Sequence, residues 1–251
     1  MVKAIFVPHT YLPFLDDEDL FAAAQIVLTA FNRAVSKSDF EANSVDAFSA
    51  YFETALGGTS IKHWLQSERS RQKQKTLQNS VGTFHQFVLG SMPGCKDTGV
   101  NRGGVDVVNV RSAWIAEIKN KHNTVKGSDR KSVYDNLRHY IKLYSDEYSK
   151  KFTGYYVEVI PKGGRSYNEP FQPTDSLQSG RPRPLNKNIR IISGPQFYDL
   201  ASESKGALLK LLLALPKIMK DKLGIEFVDS HRNLIALYES SFLGKKMNLN
   251  P

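Results

Sequence analysis

Apolar residues recur three and four positions apart in three stretches near the start of the chain. This spacing predicts amphipathic helices over residues 17–35, 45–56 and about 77–89. Four acidic residues at the start of the first stretch suit a helix N-terminus, and Gly57-Gly58 suits the C-terminal cap of the second. The first third of the chain is therefore predicted to be helical.

The pattern changes after Gly104, where short runs of β-branched and apolar residues are typical of strands. Strands are predicted at 105–110, 114–119, 155–160, 189–193 and 225–228, and helical spacing returns at 132–148, 207–215 and 233–243. This order predicts an α/β fold with a mixed central β-sheet flanked by helices. We expect one domain over 1–251, with a mainly helical N-terminal region at 1–76 and the core at 77–251.

Residues 161–190 interrupt this alternation and show no clear period. The segment is rich in Gly, Pro, Asn, Ser and Gln, and it holds six basic residues. Structureless loops of this length are uncommon in compact proteins and often have a function. We therefore expect this loop to bind a ligand rather than to serve as a passive connection.

The 251 residues carry a formal net charge of +9, and the positive charge is clustered. Residues 62–75, 117–131 and 161–190 carry net charges of +4, +3 and +4, whereas residues 1–61 carry −5. Any one of these basic segments alone is typical of a solvated surface. Three of them together favour an anionic partner such as a nucleic acid.

A secreted, zinc-stabilised or membrane-spanning protein is not expected from this composition. The single cysteine, Cys95, cannot form an internal disulfide, and no Cys/His spacing fits a structural zinc site. The N-terminal apolar run is broken by Pro8 and Pro13 and lacks a signal-peptide cleavage site. The most apolar stretch, residues 207–219, is too short to cross a bilayer. These features predict a cytoplasmic protein without membrane association.

Charged residues inside an apolar predicted strand form the most informative pattern in the chain. The triplet Glu117-Ile118-Lys119 lies in such a strand, whereas two further acid-x-Lys triplets lie outside strands. Buried Glu and Lys are rare unless they are paired or bind a metal ion. Because strand side chains alternate, Glu117 and Lys119 should share one face. Asp106 lies on the preceding predicted strand. If the two strands pair, Asp106 comes to lie beside Glu117 and Lys119.

Asp106 and Glu117 have the chemistry of a Mg²⁺ site, because this cation takes one or two carboxylates together with waters and phosphate oxygens. A metal ion there acts as a Lewis acid and lowers the pKa of a bound water. Lys119 can orient that water and stabilise charge on the phosphate oxygens. The pattern predicts metal-assisted phosphodiester hydrolysis. The alternative is a half-exposed hairpin in which Glu117 and Lys119 form only a salt bridge.

These residues resemble the signature of the PD-(D/E)-x-K nuclease superfamily, which places an acid on one strand and acid-x-Lys on the next. Two segments, 103–109 and 116–124, are similar to the type II restriction endonucleases that cut GGNCC or GGWCC sites, with weaker similarity at 84–90 and 194–198. The resemblance implies that Asp106 and Glu117 bind Mg²⁺ and that Lys119 assists the attacking water. It also makes residues 77–251 the catalytic core.

Two positions depart from the superfamily pattern. Val105 stands where the superfamily signature has Pro, which shapes the strand and carries no chemistry. Many relatives supply a further acid from the preceding helix, where this chain has His85 and Gln86. Gln86 is expected either to hold a metal-bound water or to cap the site, and His85 is expected to be a half-buried residue with satisfied hydrogen bonds.

A nuclease of this kind implies that the basic segments bind DNA phosphates. Residues after the catalytic strand are expected to meet the backbone near the cut: Lys121, Asn123, Lys126, Arg130 and Lys131. The segment 62–75 either lines the cleft or forms an exposed polar linker. Arginine is the commonest reader of guanine, so base contacts are expected in the loop at 161–190, from Arg165, Arg181 and Arg183, with Gln178, Asn186 and Lys187 as weaker candidates.

Cutting both strands of a palindromic duplex requires two active sites related by a two-fold axis, which implies a homodimer. The acidic residues 1–61 are expected to form its interface or to serve as core scaffold. A restriction role also implies a methyltransferase that protects the same sites. Two alternatives stay open: a repair or recombination nuclease of the same superfamily that recognises DNA structure, and a basic DNA-binding module without catalysis.

Overall fold

The computed structural model describes residues 9–35, 45–99, 104–124, 127–175 and 180–249. The chain divides into two compact units, one formed by Ala23–Phe84 and the other by His85–Pro251 together with Met1–Ala22. One domain over the whole chain stays a prediction, because two compact units can share a domain or form two. None of the described helices is long and apolar enough to cross a membrane.

Among the described residues of the first third of the chain there are three helices, as the apolar spacing predicts: α1 (Asp17–Val35), α2 (Ala47–Gly57) and α3 (Ile61–Gly90). The side chain of Asp46 caps α2 by accepting hydrogen bonds from the backbone N–H groups of Phe48 and Ser49. Gly58 ends α2 in the left-handed conformation, with φ of 59°.

The basic segment 62–75 is helical and belongs to α3, which begins sixteen residues before the predicted start at Leu77. The expectation of a polar linker is therefore wrong. Lys, Arg, Gln and Glu are good helix formers even where no apolar stripe marks the helix. Glu68 adds local bonds by accepting from Arg71 at 2.7 Å and from Gln72 at 2.8 Å.

A six-stranded mixed sheet confirms the predicted fold class. The strands of the described residues are β1 (Cys95–Asp97), β2 (Val107–Asn109), β3 (Trp114–Lys121), β4 (Thr153–Ile160), β5 (Asn168–Pro170), β6 (Thr174–Asp175), β7 (Arg181–Pro182) and β8 (Ile189–Ser193). The order in the sheet is β1-β2-β3-β4-β8-β5, and a separate hairpin joins β6 and β7. The first three strands pair antiparallel, β3, β4 and β8 run parallel, and β5 is antiparallel to β8.

Helices cover both faces of this sheet. The parallel connection from β3 to β4 runs through α4 (Gly127–Tyr148), whose Tyr134 and Leu137 pack on Ile115 in the core. On the other face, α5 (Gly194–Ser202) places Phe197 against Trp114, with ring centroids 5.2 Å apart. The chain continues through α6 (Ala207–Leu223) and α7 (His231–Leu243).

The start of α5 requires glycine. A Cβ atom at Gly194 would lie 2.2 Å from the Val159 carbonyl oxygen, so only glycine lets this helix begin so close to β4. The spacing of apolar residues does not reveal α5 or the three-residue strand β1, and both are additions to the predicted elements.

The strand predicted at 225–228 is wrong. Gly224 caps α6 with φ of 65°, and the following residues form neither helix nor strand. Val228 is 99% exposed. A short apolar run with β propensity forms a strand only where another strand can pair with it, and none of the described residues pairs here.

The loop at 161–190 holds more regular structure than predicted. It contains a 3₁₀ turn (Lys162–Gly164), then β5 at the edge of the main sheet, then the β6–β7 hairpin. These strands have two or three residues each, too few to show a repeating pattern. In addition, β5 pairs with the distant strand β8, which local pattern does not reveal.

Candidate active site

Asp106 reaches the site through a left-handed turn just before β2. Gly104 adopts φ of 67°, and a Cβ atom there would lie 2.1 Å from Tyr140 Cε2, so this turn requires glycine. The Gly104 carbonyl accepts a hydrogen bond from Asn136 on α4. The backbone N–H of Asp106 donates to the Ala116 carbonyl at 2.9 Å, which sets Asp106 beside β3.

Two donors fix the Asp106 carboxylate. The Ile118 N–H donates to Oδ2 at 2.6 Å, and the Gln86 side chain provides a further hydrogen bond. Gln86 thus contacts the predicted metal-binding acid directly. Its role in the reaction stays a prediction.

Glu117 and Lys119 lie on one face of β3 and form an ion pair, with Lys119 Nζ 2.7 Å from Glu117 Oε1. Their side chains are 16% and 26% exposed, so both charges are largely removed from water. The antiparallel register pairs Val107 with Ala116, which puts the preceding residue, Asp106, opposite Glu117. The structure therefore brings together the three residues that the sequence pattern singles out.

The electrostatics of the site show two acids held close together. Burial raises the pKa of Asp106 to about 6, and the negative charge of Glu117 adds to the rise. Burial lowers the pKa of Lys119, but the attraction and hydrogen bond of Glu117, with the charge of Asp106, outweigh burial and raise it overall. Lys119 is therefore held as an ammonium group, a donor and not a base.

The donor set fits a hard divalent cation. A cation between Asp106 and Glu117 would remove the repulsion that disfavours the charged form of Asp106. Among the residues that the structure describes, no group of three or more His, Cys, Asp or Glu side chains could hold a metal ion. Two carboxylates with the remaining ligands from water or phosphate suit Mg²⁺ and do not make a closed zinc site.

The adjacent strand β4 adds a buried acid that the motif does not include. Glu158 is 3% exposed and lies beside Lys119 in the parallel register. Its Oε1 is 3.1 Å from Arg130 Nη1, and its Oε2 accepts a hydrogen bond from the Tyr167 hydroxyl. The signal is present in the sequence, because Glu158 is the only acid in the predicted strand 155–160, as Glu117 is in 114–119.

Arg130, predicted to contact DNA, is held inside the protein. Besides Glu158 it contacts two aromatic rings, with Cζ 5.3 Å from the centroids of both Tyr156 and Phe171. Its side chain is 29% exposed. Contact between Arg130 and DNA stays a prediction.

Other residues predicted to contact the DNA backbone follow the site in the chain. Lys121 ends β3, Asn123 is exposed in the turn after it, and Lys131 lies in the first turns of α4. Lys126 lies outside the described residues.

The predicted base readers differ in their surroundings. Arg165, Arg181 and Lys187 are exposed, and Asn186 is half-buried. Arg183 is not free: its Nε is 3.1 Å from Asp135 Oδ1 on α4, and Nη2 contacts the same oxygen. Arg183 therefore anchors the loop to α4 in this structure. Gln178 lies outside the described residues.

His85 is more buried than the sequence suggests, at 8% exposed. Its Nδ1 is 2.6 Å from the Tyr198 hydroxyl, as expected for a histidine with satisfied hydrogen bonds. Burial lowers the pKa of His85 to about 4, so the ring is neutral at ordinary pH.

The mixed sheet, its flanking helices and the paired acids beside a lysine define the class of restriction-endonuclease-like nucleases. A model of the Eco47II restriction endonuclease family matches residues 12–224. The chain belongs to this family. Membership makes it a type II restriction endonuclease, a hydrolase that acts on DNA, and confirms the predicted resemblance and enzyme class.

Two relatives support this membership. The chain is 41% identical over 221 residues to the type II restriction enzyme Eco47II of Escherichia coli, covering 85% of this chain and 90% of the relative. It is 32% identical over 218 residues to the type II restriction enzyme Sau96I of Staphylococcus aureus, covering 85% and 81%. No solved structure matches the chain.

Proposed function

We propose that this chain is a Mg²⁺-dependent restriction endonuclease that hydrolyses both strands of a short palindromic site of the GGNCC type. The observation that carries the proposal is the convergence of Asp106, Glu117 and Lys119 on one face of the sheet. The type of DNA recognition site rests on the resemblance of segments 103–109 and 116–124 to the type II restriction endonucleases that cut GGNCC or GGWCC sites. The match to two type II restriction enzymes along most of their length supports it further.

Asp106 and Glu117 would hold Mg²⁺ through their carboxylates. When bound, the ion would act as a Lewis acid on the phosphodiester and increase the acidity of a water. The ammonium group of Lys119 would donate hydrogen bonds to oxygens of the phosphate that lies beside Glu117. These bonds would stabilise the negative charge on the phosphate. The Ile118 N–H and the Gln86 side chain keep the Asp106 carboxylate turned toward Glu117.

Basic residues around the site bind the DNA. Lys121 and Lys131 neutralise phosphates close to the cut, with Asn123 and Lys126 in the same segment. Arg165, Arg181 and Lys187 are exposed on the loop at 161–190 and are suited to reach base edges in the major groove. Arg183 fixes this loop to α4 through Asp135.

The enzyme acts as a homodimer, because a palindromic site presents the same scissile bond twice. Within the unit Ala23–Phe84, α2 and the start of α3 expose a stripe of large apolar side chains. Their exposed area is on the order of 600 Å², close to the roughly 800 Å² that each partner buries in a standard interface. The members of the α2 stripe are Phe48 (79% exposed), Tyr51 (63%), Phe52 (56%), Leu56 (86%) and Ile61 (64%).

We assign the α2 stripe to contact with a second copy of the chain. Sedimentation of the wild type and of a Phe48→Asp, Phe52→Asp variant tests the assignment. A dimeric wild type and a folded monomeric variant are expected. A variant that remains dimeric would show that the α2 stripe is not part of the dimer interface.

In a restriction system the chain would share the cytoplasm with chromosomal DNA and with a methyltransferase that protects the same sites. The methyltransferase is a functional partner, because it acts on DNA and does not need to contact this chain.

Cleavage of a long, fully sequenced, unmethylated duplex tests the proposed function. The wild type should give discrete fragments that require Mg²⁺, and mapping their ends gives the site. Glu117→Ala should abolish the fragments, and Lys119→Ala should slow cleavage by about 10²–10³-fold. Lys205→Ala is the matched control and should cut as the wild type does, because Lys205 belongs to another acid-x-Lys triplet, Glu203-Ser204-Lys205, and is exposed.

Two results would contradict the proposal. Intact DNA in every reaction, together with a gel shift, would indicate a binding module without catalysis. Cutting of branched or damaged DNA with no defined site would indicate a repair nuclease.

A further inference from the structure

Tyr156 on β4 carries a buried hydroxyl group that the fold leaves without a partner. The residue is 0% exposed, and no atom of the described residues makes a hydrogen bond with its hydroxyl oxygen. Two other fully buried tyrosines are paired: Tyr134 donates to the Pro184 carbonyl, and Tyr198 bonds with His85. An unpaired buried hydroxyl destabilises a protein, so its presence calls for an explanation.

The position of Tyr156 relates it to the active site. In the parallel register of β3 and β4, Tyr156 is the direct neighbour of Glu117, on the same face of the sheet. Burial raises the pKa of Tyr156 to about 12, and the charges of Glu158 and Glu117 both add to the rise, with Arg130 opposing it. The hydroxyl therefore keeps its proton and lies within electrostatic reach of Glu117.

The ring of Tyr156 is held firmly. Its centroid lies 4.9 Å from that of Phe171, and Arg130 stacks on it while bonded to Glu158. These contacts restrict movement of the ring away from this position. Its hydroxyl is thus a donor fixed in place before any substrate arrives.

Glu117 needs a second donor during the reaction. In this structure its Oε1 is paired with Lys119 at 2.7 Å. The proposed function requires the Lys119 ammonium to serve phosphate oxygens, and the Glu117 carboxylate then loses this bond. A bound Mg²⁺ would use only part of the acceptor capacity of this carboxylate, and a largely buried carboxylate oxygen left without a donor is costly. Tyr156 lies beside it with an unused proton.

We propose that Tyr156 is a positioning residue for Glu117: its hydroxyl donates to the Glu117 carboxylate when Lys119 turns toward the scissile phosphate. The inference rests on the proposed function. It makes Tyr156 act through a ligand of the divalent ion rather than on the substrate itself. Loss of such an outer partner typically weakens metal affinity or activity about 10–100-fold.

Tyr156→Phe removes only the hydroxyl group and tests the inference. The Mg²⁺ concentration for half-maximal cleavage should rise at least about 10-fold, with the KM for DNA unchanged. Binding of Ca²⁺ to the protein–DNA complex, measured by calorimetry, should weaken by a similar factor. The melting temperature should equal or exceed that of the wild type, because an unpaired polar group is removed.

Tyr155→Phe is the matched control, since it removes the same group from the opposite face of β4. It should leave the Mg²⁺ dependence unchanged. Wild-type Mg²⁺ dependence in Tyr156→Phe would overturn the inference while leaving the proposed function intact. A lower melting temperature with an unchanged Mg²⁺ midpoint would also overturn it, by showing a purely structural hydroxyl. A wild type that does not cut DNA would overturn both the inference about Tyr156 and the proposed function.

Discussion

The two faces of the central sheet differ in chemistry although the same strands build them. Toward α5, β3 presents Trp114, Ala116 and Ile118, all buried and apolar. Toward α4, the same strand begins with buried Ile115 and then presents Glu117 and Lys119. One face is apolar along its length, whereas the other is divided into an apolar half and a charged half.

The difference shows how the fold separates stability from function. The apolar face and the apolar half of the other face exclude water and stabilise the sheet. The charged half opposes folding, because burial raises the pKa of Asp106 and Glu117 repels it. Substitutions on the two faces should therefore affect different properties of the protein.

The largest loss of stability is expected on the apolar face. Trp114 is 4% exposed and packs edge-on against Phe197. Trp114→Ala should lower the free energy of unfolding by about 3–5 kcal/mol through lost burial and the cavity left behind. Urea denaturation measures the loss, and cleavage per folded molecule should be retained. A loss below about 1 kcal/mol would contradict the role given to this face.

Protonation of His85 should lower the free energy of unfolding nearly as much as Trp114→Ala does. Its hydrogen-bond partner, Tyr198, belongs to α5 on the apolar face of the sheet. Burial lowers the pKa of His85 to about 4 in the folded protein, from an ordinary 6.5. The unfolded chain binds this proton first, so stability is full above about pH 6.5 and falls as the pH drops toward 4, by up to about 3 kcal/mol. Unfolding measured across this range records the decline.

His85→Gln provides the control, because glutamine keeps a hydrogen-bonding group near Tyr198 and does not titrate. The pH dependence of this variant should lack the contribution of His85 between about pH 6.5 and 4. An identical pH dependence in variant and wild type would show that the histidine is not held neutral.

A smaller loss is expected where the charged half is held together. Arg130→Met leaves the buried Glu158 carboxylate without its cation and should cost about 2 kcal/mol, less than for a fully buried pair because Arg130 is 29% exposed. Adding Glu158→Gln should recover most of the loss. A double-mutant cycle by urea denaturation measures the coupling, and additive effects of the two substitutions would show that the ion pair contributes nothing.

The sequence predicts the parts of this design that rest on local pattern. Alternation identifies β3, and the acid-x-Lys triplet within it identifies Glu117 and Lys119. Asp106 follows because neighbouring strands pair. The resemblance adds Gln86, which contacts Asp106 in the structure. These features depend on residues close together in the chain, where spacing is informative.

The missed parts depend on residues far apart in the chain. Glu158 and Arg130 are separated by 28 positions, and no local spacing links them. β5 has the sequence Asn-Glu-Pro, which disfavours a strand, yet β8 pairs with it. The apolar run 225–228 is the reverse case, with strand propensity and no partner. Tertiary pairing decides all three.

Thermal unfolding of the wild type and of Asp106→Asn, with and without Mg²⁺ at neutral pH, tests most directly whether the charged half serves a cation at the expense of stability. Without the ion, Asp106→Asn should melt at a higher temperature than the wild type, because it removes a buried, repelled charge. Added Mg²⁺ should raise the melting temperature of the wild type and leave the variant unchanged. A variant that melts lower without the ion, or a Mg²⁺ response equal in both proteins, would contradict the assignment of this site.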